Sequence, residues 1–421
     1  MKKLRIIVLV TVIVALIAAL PGPARPAQAQ DTIRFWTFEY TQAVDPFFQA
    51  YIDEWNATHD IQVEWQEYPW AQYTGEILTT GIATGEAPDV FFISPGDWRR
   101  YAESGLALPL NDYMPDYLLE DLLPASVDAV TLDGNIYSIP FEMEPVALWY
   151  NKAMLEEAGL EVPQSWDELL SAAEQLTTPN RYGILLPMNP DYFENFIFYP
   201  FLWMAGADVV NEDFTEAAVD TPEAARALDL WGTLVRNGWA APTSTGNDPT
   251  DDRFGNEQAA MFVSGYWVWG WLSESYPDLL ENIGVAPIPA PEAGDELATV
   301  YGGWTVMVYA GTEPPEAAAE FAINMFGAED NTRAAEWGIV YNTKLSPRQS
   351  VLEENADFYA EFPHNVFANE IFPTARAEPS YPPEIAQSVW EALQSVMFLD
   401  VPAEDAAATW AETINSYLAT R

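Results

Sequence analysis

Apolar positions along this chain recur in two periods, one of two residues and one near 3.6. The stretch IRFWTF, Ile33 to Phe38, predicts a first strand. Val44, Phe47, Phe48, Tyr51, Ile52 and Trp55 then follow i, i+3, i+4 spacing, which predicts a helix with one apolar face. IQVEW alternates Ile61, Val63 and Trp65 and predicts a second strand, with Trp55 and Trp65 in the core. DVFFI, Asp89 to Ile93, is the continuous apolar run of a buried parallel strand. Ser165 to Glu168, SWDE, is a capping box that opens a helix, and Thr221-Pro222-Glu223 opens another. Two helical runs near the C-terminus are separated by LDVP, Leu399 to Pro402. This alternation predicts an α/β fold of mostly parallel sheets flanked by helices. VAPIPAPEAG, Val285 to Gly294, reads as a crossing or linker, whereas in Phe141 to Lys152 Pro145 precedes an apolar, strand-like run.

The first 29 residues read as a leader rather than as fold. Lys2, Lys3 and Arg5 precede an apolar run from Ile6 to Leu20, and small residues stand at Ala27 and Ala29. That is the pattern of a secretory signal peptide cut after Ala29, with a retained anchor as the alternative. The chain has no cysteine, so an exported form has no disulfides and no site for a lipid anchor. Its 421 residues are enough for two domains with a large core. The net charge of −47 comes from 64 acidic against 17 basic side chains. Beyond the leader only Lys152 and Lys344 remain of the lysines, and nothing in the chain could neutralise a run of phosphates, which excludes nucleic acid as a partner.

Catalytic motifs are sparse. There is no Gly-rich phosphate loop, no nucleophile elbow and no H-E-x-x-H pair. The two histidines, His59 and His364, are expected on the surface, and no transition-metal site and no cofactor are expected. The acidic loop Asn247 to Asp252 lacks spaced calcium ligands and reads as solvated or capping. Glu142 and Glu144 would share one face of a strand, which suits either a glycosidase pair or acceptors for sugar hydroxyls. The clearest positive signal is aromatic: 17 Trp, 20 Tyr and 21 Phe. Rings rimmed by polar side chains make small-ligand sites, and Trp98, Trp267 and Trp304, each beside Gly or in a loop, are the candidates.

Several segments in register resemble one family. GEAPDVFFI (Gly85 to Ile93), YAESGLALPL (Tyr101 to Leu110), EPVALWYNKAMLEEAGL (Glu144 to Leu160) continued by VPQSWDELL, NEQAAMFVSGYWVWGW, VYGGWTVMV and PAEDAAATWAETIN follow the family's order. The chain resembles the extracellular solute-binding proteins of ABC transporters, family 1, in the sugar-binding, maltose-binding-protein-like branch. The resemblance implies a two-lobed periplasmic-binding-protein fold of type II, with lobe one at 30–142 and 298–342 and lobe two at 143–297 and 343–421. It implies a carbohydrate held in the cleft, delivery to membrane permease subunits, a monomer, and no catalysis. Carried over residue by residue, Glu144 matches an acid that bonds sugar hydroxyls beside the first crossing. Glu39 and Tyr40 match a polar ligand position, Trp267 a cleft aromatic at a helix start, and Gly303 and Trp304 a cleft loop. Asp97 and Trp98 fall near a polar-aromatic cluster, and Tyr192, Asn195 and Arg376 complete the expected ligand-binding set. The family's lobe-one lysine beside the first acid has no counterpart, because Lys152 belongs to another motif.

Three functions remain open on the sequence: a neutral-sugar binder, a binder of a polyol or glycerol phosphate, and a secreted glycosidase. The three tryptophans of GYWVWGW could form a membrane belt, a core or a stacking surface. No second apolar run supports the belt. Trp267 is expected to face the cleft, and Trp269 and Trp271 to pack in the lobe core.

Overall fold

A computed structural model describes residues 32–40, 44–242, 252–341 and 343–420. The leader lies outside the described residues, as does the acidic loop apart from Asp252. The first predicted elements form where their periodicity puts them. Strand Thr32–Phe38 is followed by helix Asp45–Thr58, which buries Phe47, Phe48, Tyr51, Ile52 and Trp55. Strand Gln62–Tyr68 pairs parallel to Thr32–Phe38, and Val90–Ile93, fully buried, pairs parallel on its other side. Ser165 accepts the Glu168 N–H at 3.3 Å, and Glu168 reaches back to the Gln164 N–H at 2.7 Å, closing the capping box one residue before the cap. Thr221 caps its helix through the Ala224 N–H.

Two mixed sheets organise the chain. The first has the order Gln62–Tyr68, Thr32–Phe38, Val90–Ile93, Thr305–Val308, Ser138–Pro140. Its first half is parallel, and the two strands bordering the crossings run antiparallel. The second sheet centres on the long strand Glu144–Asn151. Ala259–Gly265 flanks that strand on one side, and Thr299–Gly302 and Ile283–Ala286 share the other, all antiparallel to it. Tyr182–Leu186 and Ala240–Pro242 extend the sheet in parallel, and Ala375–Ala377 pairs parallel at the far edge. Each sheet has its own apolar core. One is built on Phe35, Phe48, Phe92, Phe321 and Trp337, and the other on Trp231, Phe198, Leu202 and Trp410 on one face and Trp149, Phe262 and Tyr266 on the opposite face.

The chain passes between the sheets at short crossings. The first runs from Pro140 to Glu144, and the second is Gly303-Trp304. The second lies later than the expected boundary at 298, because Thr299–Gly302 is still a strand of the second sheet. A third passage returns near Leu345, whose carbonyl accepts the Met143 N–H at 2.8 Å. The Pro-rich segment Val285–Gly294 is no crossing. It begins as strand, buries Ile288 and Ala290, and pairs Ala290 with Ser165 inside the second unit. Its prolines interrupt hydrogen bonding without changing the sheet it serves.

The crossings touch because one residue lacks a side chain. Gly303 sits at φ +118°, and a Cβ there would lie 2.1 Å from the Glu142 carbonyl oxygen. Only glycine combines that dihedral with that approach.

Candidate functional site

The carboxyl ends of the first sheet's parallel strands and the crossings open onto the space between the sheets, where ligands of open α/β folds bind. Five expected site residues meet there: Tyr40, Glu144, Trp267, Gly303 and Trp304. Strand Thr32–Phe38 delivers Tyr40, whose ring lies 4.2 Å from Phe38 and edge-on to Trp337 at 5.1 Å. The Trp304 ring lies 4.3 Å from Phe38, so the two expected aromatics share a neighbour. The Tyr40 hydroxyl is buried with no hydrogen-bond partner among the described residues. Burial, with the Glu142 carboxylate nearby, pushes that hydroxyl's pKa well up.

Extended backbone sends Glu142 and Glu144 to one side and Met143 to the other. Both glutamates are buried. Glu142 Oε1 accepts the Trp304 N–H at 3.0 Å and Oε2 accepts Trp337 Nε1–H at 2.9 Å. Glu144 forms an ion pair with Lys344, which is itself only 4% exposed. Burial pulls the Lys344 ammonium down to about 8, and the Glu142 carboxylate opposes that shift. Burial raises Glu142, and Lys344 and its two N–H donors hold it back. Lys344 also stands 5.9 Å from the centre of the Trp267 ring.

Trp267 is the N-cap of helix Val268–Ser275 and is half-buried. Its ring folds back over Gly265 and faces Phe193 at 6.2 Å and Phe196 at 6.1 Å. Trp269 and Trp271 are not sealed in the core as expected. Both are half-buried at the rim of the Trp149 cluster, Trp269 against Phe362 and Trp271 against Tyr276. The helix begins at Val268, so its outer turn meets solvent.

A second group lies where the loop after Val90–Ile93 meets residues 378–381. Asp97 binds Arg100 through two contacts, at 2.5 and 2.6 Å. Glu378 packs on Gly96, and Ser380 Oγ donates to the Gly96 carbonyl at 3.0 Å. Burial, then Asp97, raises Glu378 to about 8. Tyr192 shares this field and is raised to about 12, first by burial and then by Asp97. Phe196 and Glu378 both approach Gly302, which joins this group to the crossings.

The remaining expected residues lie elsewhere. Trp98 is 4% exposed and packs with Phe91, Tyr101 and Met307 in a separate small core, so its loop position misled. Asn195 is fully buried on helix Tyr192–Ala205 and donates to the Ala386 carbonyl at 2.8 Å. Arg376 lies exposed on the edge strand, its guanidinium 5.3 Å from the Trp203 ring. Glu39 is exposed, and its N–H donates to the Tyr68 carbonyl at 2.8 Å. His364, expected on the surface, is buried and bonded to the Tyr266 hydroxyl, and burial lowers its pKa to about 4.

Sequence reasoning missed Lys344, Trp337, Phe193, Phe196, Arg100 and Glu378. Lys344 had one legible signal, its rarity in an acidic chain. A cavity of about 360 Å³ lies behind Met143 and Leu345, lined also by Tyr359, Phe372 and three alanines. It holds no charged group and lies on the Met143 side of the first crossing, away from the acids. Among the described residues no group of His, Cys, Asp and Glu could hold a metal ion.

Similarity to known proteins follows this architecture. Residues 40–332 match the family described as bacterial extracellular solute-binding protein. The maltotriose-binding protein of Pyrococcus abyssi is 30% identical over 283 residues, 65% of this chain and 58% of that one. The arabinooligosaccharide-binding protein of Halalkalibacterium halodurans is 26% identical over 353 residues, covering 79% and 76%. An ABC transporter solute-binding protein of Thermotoga lettingae, solved with α-D-tagatose, superimposes with a TM-score of 0.80 at 25% identity and covers 92% of this chain and 99% of that one. With the two-lobed fold and the matched stretch together, the chain belongs to the bacterial extracellular solute-binding proteins.

Proposed function

We propose that this chain captures a neutral mono- or oligosaccharide between its lobes and delivers it to an ABC transporter permease. The observation that carries this reading is the wall at the crossings, where Trp304 and Trp267 flank the buried acids Glu142 and Glu144. Indole faces suit the C–H faces of a pyranose, and a carboxylate accepts two or more hydroxyls. The relatives that bind maltotriose, arabino-oligosaccharide and tagatose support the same ligand class. Tyr40, Glu144, Trp267, Gly303 and Trp304 form the centre of the site, with Asp97 and Tyr192 at its far end.

An anionic solute is disfavoured. Lys344 and Arg100, the cations at these groups among the described residues, are each paired with an acid, which disfavours a phosphate there. Glycoside cleavage is disfavoured too, because both Glu142 oxygens already accept protein N–H groups, which leaves lone pairs for sugar hydroxyls but ties the orientation of that carboxyl to the crossings. The working protein is an exported monomer that begins at Gln30 and carries no lipid, its lobes dividing at the crossings and closing over the sugar.

Thermal melting against maltotriose, an arabino-oligosaccharide, tagatose, mannitol and glycerol phosphate tests the ligand class. A saccharide at 100 times its Kd should add about 2.7 kcal/mol of stability. Stabilisation by glycerol phosphate alone would reject the neutral-sugar reading.

A further inference from the structure

Among the described residues Lys344 is the only lysine or arginine whose nitrogen meets Glu144, and it does so from the third passage between the sheets. Its alkyl stem and ammonium are enclosed, its charge faces Glu144 with Glu142 alongside, and its nitrogen lies 5.9 Å from the centre of the Trp267 ring. The Lys344 backbone is fixed independently. Its N–H donates to the Gly338 carbonyl at 2.8 Å, and its carbonyl accepts the Tyr359 hydroxyl at 3.2 Å. Glu142 in turn faces Tyr40 and the N–H groups of Trp304 and Trp337. Two acids and one base, all buried, thus come from two different passages and reach a third through Trp304.

We propose that Lys344 is the positioning residue of the cleft, holding Glu144 as an ionised acceptor toward the sugar while its charge keeps the first and third passages in register. This rests on the sugar-binding reading for the ligand and on the geometry alone for the position. A buried carboxylate deprived of its cation takes up a proton and loses part of its accepting capacity. Ligand recognition by Glu144 therefore depends on a residue about 200 positions away that need not touch the ligand itself.

Lysine labelling and nuclear magnetic resonance test the placement without a ligand. Beyond the leader only Lys152 and Lys344 contribute, and Lys152→Arg assigns the pair. Lys344 should titrate well below the ordinary lysine value, and Glu144→Gln should lower it further, by about one unit or more, because an opposing charge is lost. A Lys344 titration unmoved by Glu144→Gln would overturn the proposal. The second arm is calorimetric titration of the full secreted chain with the best saccharide of the panel. Lys344→Met should bind more weakly than wild type, and the ratio of its affinity to that of wild type should rise with pH between about 5 and 7, since the unpaired acids must first lose their shared proton. Weakening by the same factor at every pH marks a merely structural lysine and rejects the proposal. If no saccharide binds wild type, the sugar reading fails and the lysine titration alone decides this inference. If Lys344→Met does not fold, the Glu144→Gln titration still decides it.

Discussion

Glu142 Oε1 accepts the backbone N–H of Trp304 at 3.0 Å, so a carboxylate on the first crossing clamps the second. The clamp needs the two backbones in contact, and Gly303 provides that contact. Gly303→Ala would place a Cβ 2.1 Å from the Glu142 carbonyl oxygen at a dihedral that side chains avoid. The expected outcome is a loss of about 1–3 kcal/mol of stability, together with weaker sugar binding. Gly270→Ala is the control, because its new Cβ would have only Thr343 Oγ1 nearby, at 3.6 Å, within helix Val268–Ser275. That change should stabilise by about 0.5–1 kcal/mol and leave affinity unchanged. Denaturation curves beside calorimetric titration check both; equal behaviour of the two variants would remove the clamp from the account.

Trp267→Ala should separate binding from folding. The ring is half-buried, touches Phe193 and Phe196 at the cleft wall, and its Nε1–H has no partner among the described residues. Loss of such an anchor costs roughly 2–4 kcal/mol of binding, or about 30- to 1000-fold in affinity. Trp231→Ala is the comparison, since Trp231 is fully enclosed between Phe198 and Phe201. It should cost about 3–5 kcal/mol of stability. Unchanged affinity in Trp267→Ala with a melting temperature as low as that of Trp231→Ala would make Trp267 ordinary core.

Much of the fold was legible because burial writes itself into period. The helix face of Phe47, Phe48, Tyr51, Ile52 and Trp55 and the run Val90–Ile93 needed no partner to be recognised. The candidate site was legible only in part. Glu144, Trp267, Gly303 and Trp304 lie at element ends, where resemblance aligns well. Trp98 looked like a site residue because it stands in a loop, yet a short helix turns it into a small core with Phe91 and Met307. The pairings of Lys344 and Glu378 were invisible for a different reason. Their partners, Glu144 and Gly96, are distant in sequence, and no local pattern encodes a contact of that range.

Glu194 should give the protein an alkaline weakness. It is fully buried on helix Tyr192–Ala205, with Oε1 accepting Gln394 Nε2–H at 2.8 Å. Burial raises its pKa to about 9, Gln394 opposes, and Asp191 adds to the rise. The folded state therefore keeps a proton that the unfolded chain releases near its ordinary value, about 4.3. Stability from this group is full below that value and falls as pH climbs to about 9. Glu194→Gln keeps the protein uncharged there at every pH. Its melting temperature should decline less than that of wild type between about pH 5 and 9, the remaining slope coming from other buried acids such as Glu378. Parallel slopes in the two proteins would show that Glu194 is ionised in the fold.

Glu378 should make lobe closure depend on pH. It comes from the second unit, packs on Gly96 of the first, and stands in the field of Asp97, whose own charge is paired with Arg100. Tyr192 lies in the same field, and Ser380 bonds the Gly96 carbonyl beside it. Burial at this seam raises Glu378 to about 8, so an arrangement in which the lobes meet here favours its protonated form. Separation of the lobes would expose the carboxyl and return its pKa toward the ordinary value. Closure is then most favoured below that value and weakens as pH rises through about 8, because a second negative charge must be buried near Asp97. Small-angle scattering of the unliganded chain should show a larger radius of gyration at pH 9 than at pH 6. Glu378→Gln, which has no charge to gain, should hold the compact value across that range. The Gln side chain keeps the shape of the seam, so an undiminished expansion in the variant would place the pH sensitivity in another group.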